Sequence, residues 1–386
     1  MPSNHRIALA YLARHAEGAA PLRRFVESHT RHPPGIEHEL VVIYKGFRQA
    51  GSLDAARSIF ASLPHVGIEV ADSGFDIGAY LTAAARLDHE FLCFVNTFTE
   101  ITAGGWLGHL YRNAMSADVG IAGATGSYES LKSSLKLANK LRWLCNEARI
   151  GYDERLVHYY DFIVGAACRP WKAQGTRRPL SAWRSLRSRL GKLYVRLEGA
   201  ASLADLVRPV SPHLPLEDQF ERHWNQLLRP GRLMADYAQF PPFPNPHIRS
   251  NGFMVNRARL LELGFEAPSS KIGACAFESG ADSLTARLRR KGLRAVIVDR
   301  EGRGFDVQDW SRSRTFRLGG QEGLILHDNQ TRRFESMPPG ERVAHCRLTW
   351  GDYLGAPPDD YPDVGLRFSV DEAATGNAAL PPAVRR

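Results

Sequence analysis

Short apolar segments alternate with amphipathic segments over the first 126 residues, and this alternation limits the fold of the 386-residue chain more than any other feature. A short apolar run is typical of a strand, and apolar residues at helical spacing indicate a helix. Five strands joined by helical crossovers predict an α/β fold with a mostly parallel sheet covered by helices. The predicted strands are "RIALAYLA", "ELVVIY", "GIEV", "FLCFV" and "VGIAGA", and the predicted helices are Leu22 to His29, Ser52 to Leu63, "DIGAYLTAAARL" and "GGWLGHLYRNAM".

The alternation stops near residue 166, and the rest of the chain divides into three further segments. The segment 166–240 is predicted to be an Arg-rich helical insertion. Within 241–335, a strand "GFMV", a helix from Ser279 to Lys291 and a strand "LRAVIVD" are predicted. The segment 336–386 is rich in proline, glycine and alanine, which is typical of loops and an irregular C-terminal tail.

The composition is that of a folded soluble protein, with 44% hydrophobic and 24% charged residues. No segment approaches the roughly 20 consecutive apolar residues of a membrane span, and the first residues lack the apolar core of a secretory signal. We therefore expect a cytoplasmic location. The five cysteines are widely spread and never form a C-x-x-C pair, which predicts reduced thiols and no zinc site.

Positive charge is concentrated in one part of the chain. The net charge is +9, and ten Lys or Arg residues stand against two acids between residues 166 and 210. Within 181–198 an apolar stripe is flanked by arginines, which suits either peripheral contact with the anionic inner face of the cytoplasmic membrane or a solvated helix packed on its own domain. Nucleic acid is the weaker interpretation, because no helix-turn-helix, RNP motif or zinc finger accompanies the charge.

Polar residues and glycines follow the predicted strands directly. The strand ends read "YLAR", "YKGF", "ADSGFDIGAY" and "VNTFTE". In an open parallel sheet a ligand binds outside the carboxyl ends of the strands. The sequence therefore predicts a binding site at this edge.

In this order the motifs resemble those of nucleotide-sugar-dependent glycosyltransferases of the GT-A fold. The segment "SGFDIGAYLTAAARLDHEFLCFVNTFTEITAGGWLGHL" resembles the inverting, bacterial polysaccharide-building class (family 2-like), and "FDIGAY" resembles rhamnan-synthesis-type enzymes. The resemblance covers roughly 6–126 and 251–331. It implies a GT-A (Rossmann-like) sheet, with a nucleotide-sugar-binding half over 1–165 and an acceptor and catalytic half over 241–335. It also implies a nucleotide-sugar donor and a glycan or lipid-linked acceptor.

The resemblance and the strand ends together indicate a set of donor-binding residues. Two members have an alternative interpretation: Asp76 can be a helix N-cap, and Asn96 can satisfy the backbone of a turn. The predicted donor-binding residues are Tyr11, Arg14, Lys45, Asp76, Asn96, Thr97, His247, Arg249 and Asn251.

The family's metal-binding D-x-D motif aligns with "FVNTFTE", which puts Asn96 and Phe98 at the positions of the two carboxylates. Mg²⁺ and Mn²⁺ prefer anionic oxygen ligands, so a divalent cofactor is doubtful here. Either Glu100 is a displaced metal ligand, or cations such as Arg14, Lys45 and Arg249 neutralise the leaving diphosphate. The second alternative predicts activity that survives EDTA.

The resemblance places the catalytic base at Glu278 or Asp282, which are expected to share one helical face. An inverting transferase needs one carboxylate to take the acceptor's proton. Asp309 and Trp310 fall where related enzymes have an acceptor-binding or lid segment. Three functions follow: a glycosyltransferase, a catalytically degenerate sugar-nucleotide or glycan-binding protein, and a nucleic-acid-binding protein.

Overall fold

The computed structural model describes residues 5–132, 239–337 and 339–351. An eight-stranded sheet forms its centre, with the strand order β11-β10-β6-β9-β4-β1-β2-β3. These strands are β1 (Ile7–Arg14), β2 (Glu39–Lys45), β3 (Val66–Val70), β4 (Phe91–Val95), β6 (Val119–Gly123), β9 (Phe253–Asn256), β10 (Arg294–Val298) and β11 (Gly304–Phe305). Two short antiparallel strand pairs form separate two-stranded sheets: β5 (Glu100–Ile101) with β12 (Leu326–His327), and β7 (Gly126–Ser127) with β8 (His247–Ile248).

Most neighbouring strands of the sheet are parallel. The pairs β1–β2, β1–β4, β2–β3 and β6–β10 run parallel, whereas β9 runs antiparallel to both β4 and β6, and β11 runs antiparallel to β10. The predicted α/β fold with a mostly parallel sheet is confirmed. Because β9 is reversed, its amino end lies at the same edge as the carboxyl ends of its two neighbours.

Helices cover the sheet on both faces. The central strands are buried on both sides, so alternate residues of β1 belong to two separate cores: Leu9 and Tyr11 to one, Ala10 and Leu12 to the other. The helices are α1 (Ala19–Arg31), α2 (Ser52–Ile59), α3 (Phe75–Arg86), α4 (Trp106–Ala114), α5 (Arg257–Glu262), α6 (Lys271–Ser279), α7 (Leu284–Arg290), α8 (Asn329–Ser336) and α9 (Pro339–Trp350).

Two element boundaries in the structure differ from those expected from the sequence. The helix predicted from Ser279 to Lys291 starts later, because Ser283 caps α7 by accepting from the Ala286 amide; Ser279 instead ends α6. The tail predicted to be loops from residue 336 onwards contains α9, whose Trp350 is fully buried and donates from Nε1 to the Phe316 carbonyl at 2.7 Å. Burial of this indole outweighs the loop-like composition.

Several predictions concern residues outside the described ranges. The Arg-rich insertion 166–240 lies there except for its last two residues, as do the 181–198 membrane-contact segment and residues 352–386 of the tail. Within the described ranges, no helix has the length and apolar character needed to cross a membrane.

Gly252, immediately before β9, lies in tightly packed surroundings. Its φ is +68°, and an added Cβ would lie 2.7 Å from Leu326 Cδ2 and 3.0 Å from Ala124 Cβ. Gly264 has a φ of +62° and nothing within 4 Å of an added Cβ. We expect Gly252→Ala to lower the free energy of unfolding by about 1–3 kcal/mol more than Gly264→Ala, because only Gly252→Ala adds overpacking to backbone strain. Urea unfolding of both variants measures this difference, and equal losses would contradict it.

Candidate active site at the carboxyl edge of the sheet

The turn after β4 is held by a network of amides and hydroxyls. Asn251 Oδ1 accepts from the Asn96 amide at 2.8 Å and from Thr99 Oγ1 at 2.9 Å. Asn96 Oδ1 accepts from the Phe98 amide at 2.9 Å, so its side chain stabilises the turn, as one sequence interpretation proposed. The reversed β9 therefore brings Asn251 against Asn96 across 155 positions of sequence.

Two further predicted donor-binding residues have buried side chains here: Thr97 belongs to this turn, and Tyr11 lies beneath it. Tyr11 is fully buried, stacks on Phe25 with ring centroids 3.9 Å apart, and donates to the Thr97 carbonyl at 2.9 Å. Thr97 Oγ1 donates to the Leu12 carbonyl at 2.7 Å. The two hydrogen bonds fix the turn to β1.

Lys45, at the end of β2, is a buried cation. Its Nζ donates to the Ser73 carbonyl at 2.8 Å and to the Phe75 carbonyl, and lies 3.9 Å from Asp72 Oδ1. Burial lowers the Lys45 pKa, while Asp72 and Asp76 oppose this effect. Asp72 also lies 3.6 Å from Arg14. Sequence reasoning missed Asp72, although its place directly after β3 was a usable signal.

Asp76 is the second residue of α3 and is not its N-cap. The N-cap is Gly74, which makes no side-chain capping bond. The capping interpretation of Asp76 is therefore wrong. The negative charge of Asp76 favours the protonated form of Lys45 and so opposes the lowering of the Lys45 pKa by burial. Asp76 therefore acts on one of the cations at the strand ends.

A cavity lies beside the ends of β2 and β3. Its volume is about 250 Å³. The cavity combines two aromatic rings with a cation and an acid. Its lining residues are Tyr44, Gly46, Phe47, Arg48, Glu69, Val70 and Ala71.

Glu278 lies in the last turn of α6, against the chain that enters β9. Its Oε2 accepts from both the amide and the hydroxyl of Ser250, the residue before Asn251. Burial opposes ionisation of Glu278, but His247, Arg249 and the two hydrogen bonds outweigh burial and lower its pKa. The carboxylate is therefore charged at neutral pH.

Asp282 lies in a different environment. It sits between α6 and α7, its side chain is 73% exposed, and it pairs with Arg290 at 2.5 Å. The prediction that Glu278 and Asp282 share a helical face is wrong, because α6 ends at Ser279.

Arg249 forms a buried ion pair with Asp328. The two side chains approach to 3.0 Å, and the Arg249 guanidinium lies 4.1 Å from the centroid of the Phe316 ring. Asp328 also caps α8, accepting from the Gln330 and Thr331 amides at 2.9 Å. His247, two residues before Arg249, is buried, with Nδ1 2.8 Å from the Asn245 carbonyl oxygen.

Glu100, the candidate displaced metal ligand, is shared by two arginines. Its Oε2 lies 3.2 Å from Arg332 Nη1 and 3.7 Å from Arg24 Nε. Among the residues described, no group of three or more His, Cys, Asp or Glu side chains is arranged to hold a metal ion. At the D-x-D position itself, Asn96 offers an amide oxygen that already accepts from the Phe98 amide, and Phe98 offers an aromatic ring, so neither side chain supplies the anionic oxygen that a divalent ion prefers.

Asp309 and Trp310 lie in a 3-10 helix, Val307–Ser313, next to β10. Trp310 is fully buried and its ring stacks on Tyr128 with centroids 5.9 Å apart. The prediction that Trp310 binds an acceptor does not fit this position, because neither face of a buried indole is open to a sugar. Asp309 pairs with Arg312 at the surface.

Comparison with known proteins gives similarity only at the level of solved structures. No protein-family profile matches the chain, and no curated protein matches it. A mannosyltransferase of Pyrobaculum calidifontis, PcManGT, solved in complex with GDP-Man and Mn²⁺, matches at 16% identity with a TM-score of 0.26; the match covers 31% of this chain and 35% of that one.

S. aureus TarS (residues 1–349) in complex with UDP matches at 15% identity with a TM-score of 0.25, covering 30% of this chain and 34% of that one. The same protein in complex with UDP-GlcNAc matches at 15% identity with a TM-score of 0.24, covering 30% and 33%. The matched part spans about a third of the length of each solved structure. In this part the chain is similar to a mannosyltransferase solved with GDP-Man and to a second protein, TarS, solved with UDP and with UDP-GlcNAc.

Proposed function

We propose that this chain is an inverting glycosyltransferase that moves a sugar from a nucleotide-sugar donor to a hydroxyl of a glycan or lipid-linked acceptor. One observation carries the proposal. Ser250 holds the charged Glu278 carboxylate, and the next residue, Asn251, accepts from Asn96 at the end of β4. The consecutive residues Ser250 and Asn251 thereby connect the proton acceptor Glu278 to the turn after β4.

The chemistry needs few groups. The acceptor's hydroxyl oxygen attacks the anomeric carbon, and its proton passes to the Glu278 carboxylate. The bond from the anomeric carbon to the diphosphate oxygen breaks, and its electron pair leaves with the nucleoside diphosphate. A charged carboxylate can take the proton, and cations at the sheet edge stabilise the negative charge that develops on the diphosphate.

The donor's base has a suitable place in the cavity beside β2 and β3. Phe47, which packs on the buried Tyr44, offers aromatic surface, and Arg48 and Glu69 offer polar groups for orientation. Lys45, Arg14 and Asp72 lie at the neighbouring strand ends. The sugar then extends towards Asn96 and Glu278.

The biological setting extends the proposal further. A role in bacterial surface polysaccharide synthesis, with a cytoplasmic enzyme docked on the membrane through 181–198, would suit a lipid-linked acceptor. This docking rests on the apolar and basic pattern of the sequence alone.

A catalytically degenerate binding protein is the second candidate. It is favoured by Asn96, whose side chain is used within its own turn at a position where the family has a carboxylate. Purified protein incubated with a panel of nucleotide sugars decides between the two. Release of nucleoside diphosphate, with or without an added glycan acceptor, supports the transferase, and donor binding without any release supports the degenerate protein.

Asp76→Ala tests the donor site. We expect about tenfold weaker binding of the nucleotide sugar that the panel identifies, with little change in melting temperature, because Asp76 makes no capping bond. Asp54→Ala is the matched control, since Asp54 also lies in the first turn of a helix and its side chain is 84% exposed. Calorimetry and thermal unfolding measure both effects. A lower melting temperature with unchanged affinity would assign Asp76 a structural role.

A further inference from the structure

Two guanidinium groups share one carboxylate beside the β4 turn. Arg332 donates to Glu100 at 3.2 Å and to the Phe98 carbonyl at 3.1 Å. Arg24 reaches Glu100 from α1, which is fixed against β5 because Ser28 Oγ accepts from the Ile101 amide at 3.0 Å. One positive charge is left in excess at the position where the resemblance would place a metal ion.

The turn itself offers poor ligands to a cation. Asn96 Oδ1 already accepts from the Phe98 amide, and Phe98 presents an aromatic ring. Mg²⁺ and Mn²⁺ bind through carboxylates and other hard oxygens, so Glu100 would have to leave both arginines to take part. Such an exchange would also leave two partly buried guanidinium groups without their shared counter-ion.

The excess positive charge extends along the same edge. Burial is the main cause of the lowered pKa of Arg332, and Arg24 lowers it further, whereas Glu100 and Asp328 oppose both. Asp328 is in turn paired with Arg249. Arg317 also lies near Asp328 and pairs with Glu129. Four guanidinium groups therefore stand with three carboxylates, and an anion arriving beside Arg24 and Arg332 would relieve the repulsion between these two arginines. Guanidinium binds phosphate oxygens with directed, charge-assisted hydrogen bonds.

We propose that Arg332 and Arg24 bind the diphosphate of the donor directly, so that this chain binds nucleotides without a divalent cation. The proposal rests on the proposed function, since it concerns the same donor. It assigns to arginine the neutralising role that a metal would otherwise have, and makes Glu100 the counter-ion that the incoming diphosphate displaces.

Binding measurements separate this proposal from the proposed function. Calorimetry with UDP and GDP, each in EDTA and in Mn²⁺, is expected to give dissociation constants for the better ligand that agree within about twofold. Electron paramagnetic resonance of Mn²⁺ with the protein alone is expected to show free Mn²⁺. Nucleotide binding that occurs only with Mn²⁺ would overturn the metal-free site and leave the transferase standing. If neither nucleotide binds under either condition, both proposals fail.

Two variants are expected to act in opposite directions. Arg332→Gln should weaken UDP or GDP binding about tenfold in EDTA, since a charge-assisted contact is lost. Glu100→Gln should leave binding unchanged or strengthen it, because a competing anion is removed. Arg294→Gln is the control, since Arg294 begins β10 at the opposite edge of the sheet. Weaker binding by Glu100→Gln together with wild-type binding by Arg332→Gln would show that Glu100 is the ligand and overturn the proposal.

Discussion

Glu278→Gln is expected to lower turnover by about 10²–10⁴-fold, the usual contribution of a general base. Glutamine keeps the shape of the side chain and can still accept from Ser250, but it cannot take a proton at neutral pH. Donor affinity should change little, because the donor is held mainly by the other strand ends. Steady-state transfer with the donor and acceptor that the panel identifies, together with calorimetry of the donor, measures both quantities.

Asp282→Asn is the control for this variant, because Asp282 is exposed and pairs with Arg290. We expect nearly wild-type transfer. Loss of transfer in Asp282→Asn with retention in Glu278→Gln would reassign the base to Asp282. If both variants retain nearly wild-type transfer, neither Glu278 nor Asp282 acts as the base.

The pH dependence of transfer should follow the charge on Glu278. The active form is the carboxylate, and His247, Arg249 and the two hydrogen bonds from Ser250 hold its pKa in the folded protein below the usual value for a glutamate. Transfer limited by this group should therefore persist on acidification to below that value and fall only as the folded protein takes up the proton.

Asp328→Asn is expected to lower the free energy of unfolding by about 3–5 kcal/mol, the cost of breaking a buried ion pair. The change leaves Arg249 largely buried without its counter-ion, and Arg317 loses a nearby negative charge. Asp309→Asn is the matched control: it breaks the exposed pair with Arg312, which should cost less than about 1 kcal/mol. Urea unfolding of both variants measures the contrast, and similar losses would contradict a buried pair.

The same pair predicts the direction of acid unfolding. Burial opposes ionisation of Asp328, but Arg249 and the α8 cap outweigh burial and lower its pKa. Its contribution is therefore present above the pKa of the unfolded chain, about 3.9, and is lost as pH falls through the lower pKa of the folded state. Asp328→Asn should lose less stability than the wild type over this acid range.

The sequence predicted the local elements well and the distant pairings poorly. The strand Phe91–Val95 was predicted with its observed bounds, because an uninterrupted apolar run ends abruptly at Asn96. Apolar pattern alone also predicted "GFMV" as a strand, but not that it inserts in reverse between β4 and β6. Strand order depends on contacts between distant segments, and periodicity carries no information about those contacts.

The candidate site shows the same division. Glu278 was singled out from its position in the motif order, but its partner Ser250 was not, because 28 positions separate them and serine is unremarkable in a loop. Arg24 and Arg332 were missed for the same reason: their shared carboxylate is far from both in sequence. Trp310 was misassigned because an aromatic residue gives the same signal whether it faces a ligand or the core.

The reversed β9 has a consequence for how the chain is made. Among the described strands, β6 is hydrogen-bonded only to β9 and β10. During synthesis, about 130 further residues must therefore be added after β6 before its first partner strand begins. At about 5–20 residues per second this delay lasts roughly 7–26 seconds. Throughout it β4 presents an open sheet edge that can pair with another chain. A nascent chain stalled before residue 253 would therefore expose the unpaired edge of β4. We expect chaperones to bind the nascent chain most strongly at this stage of translation.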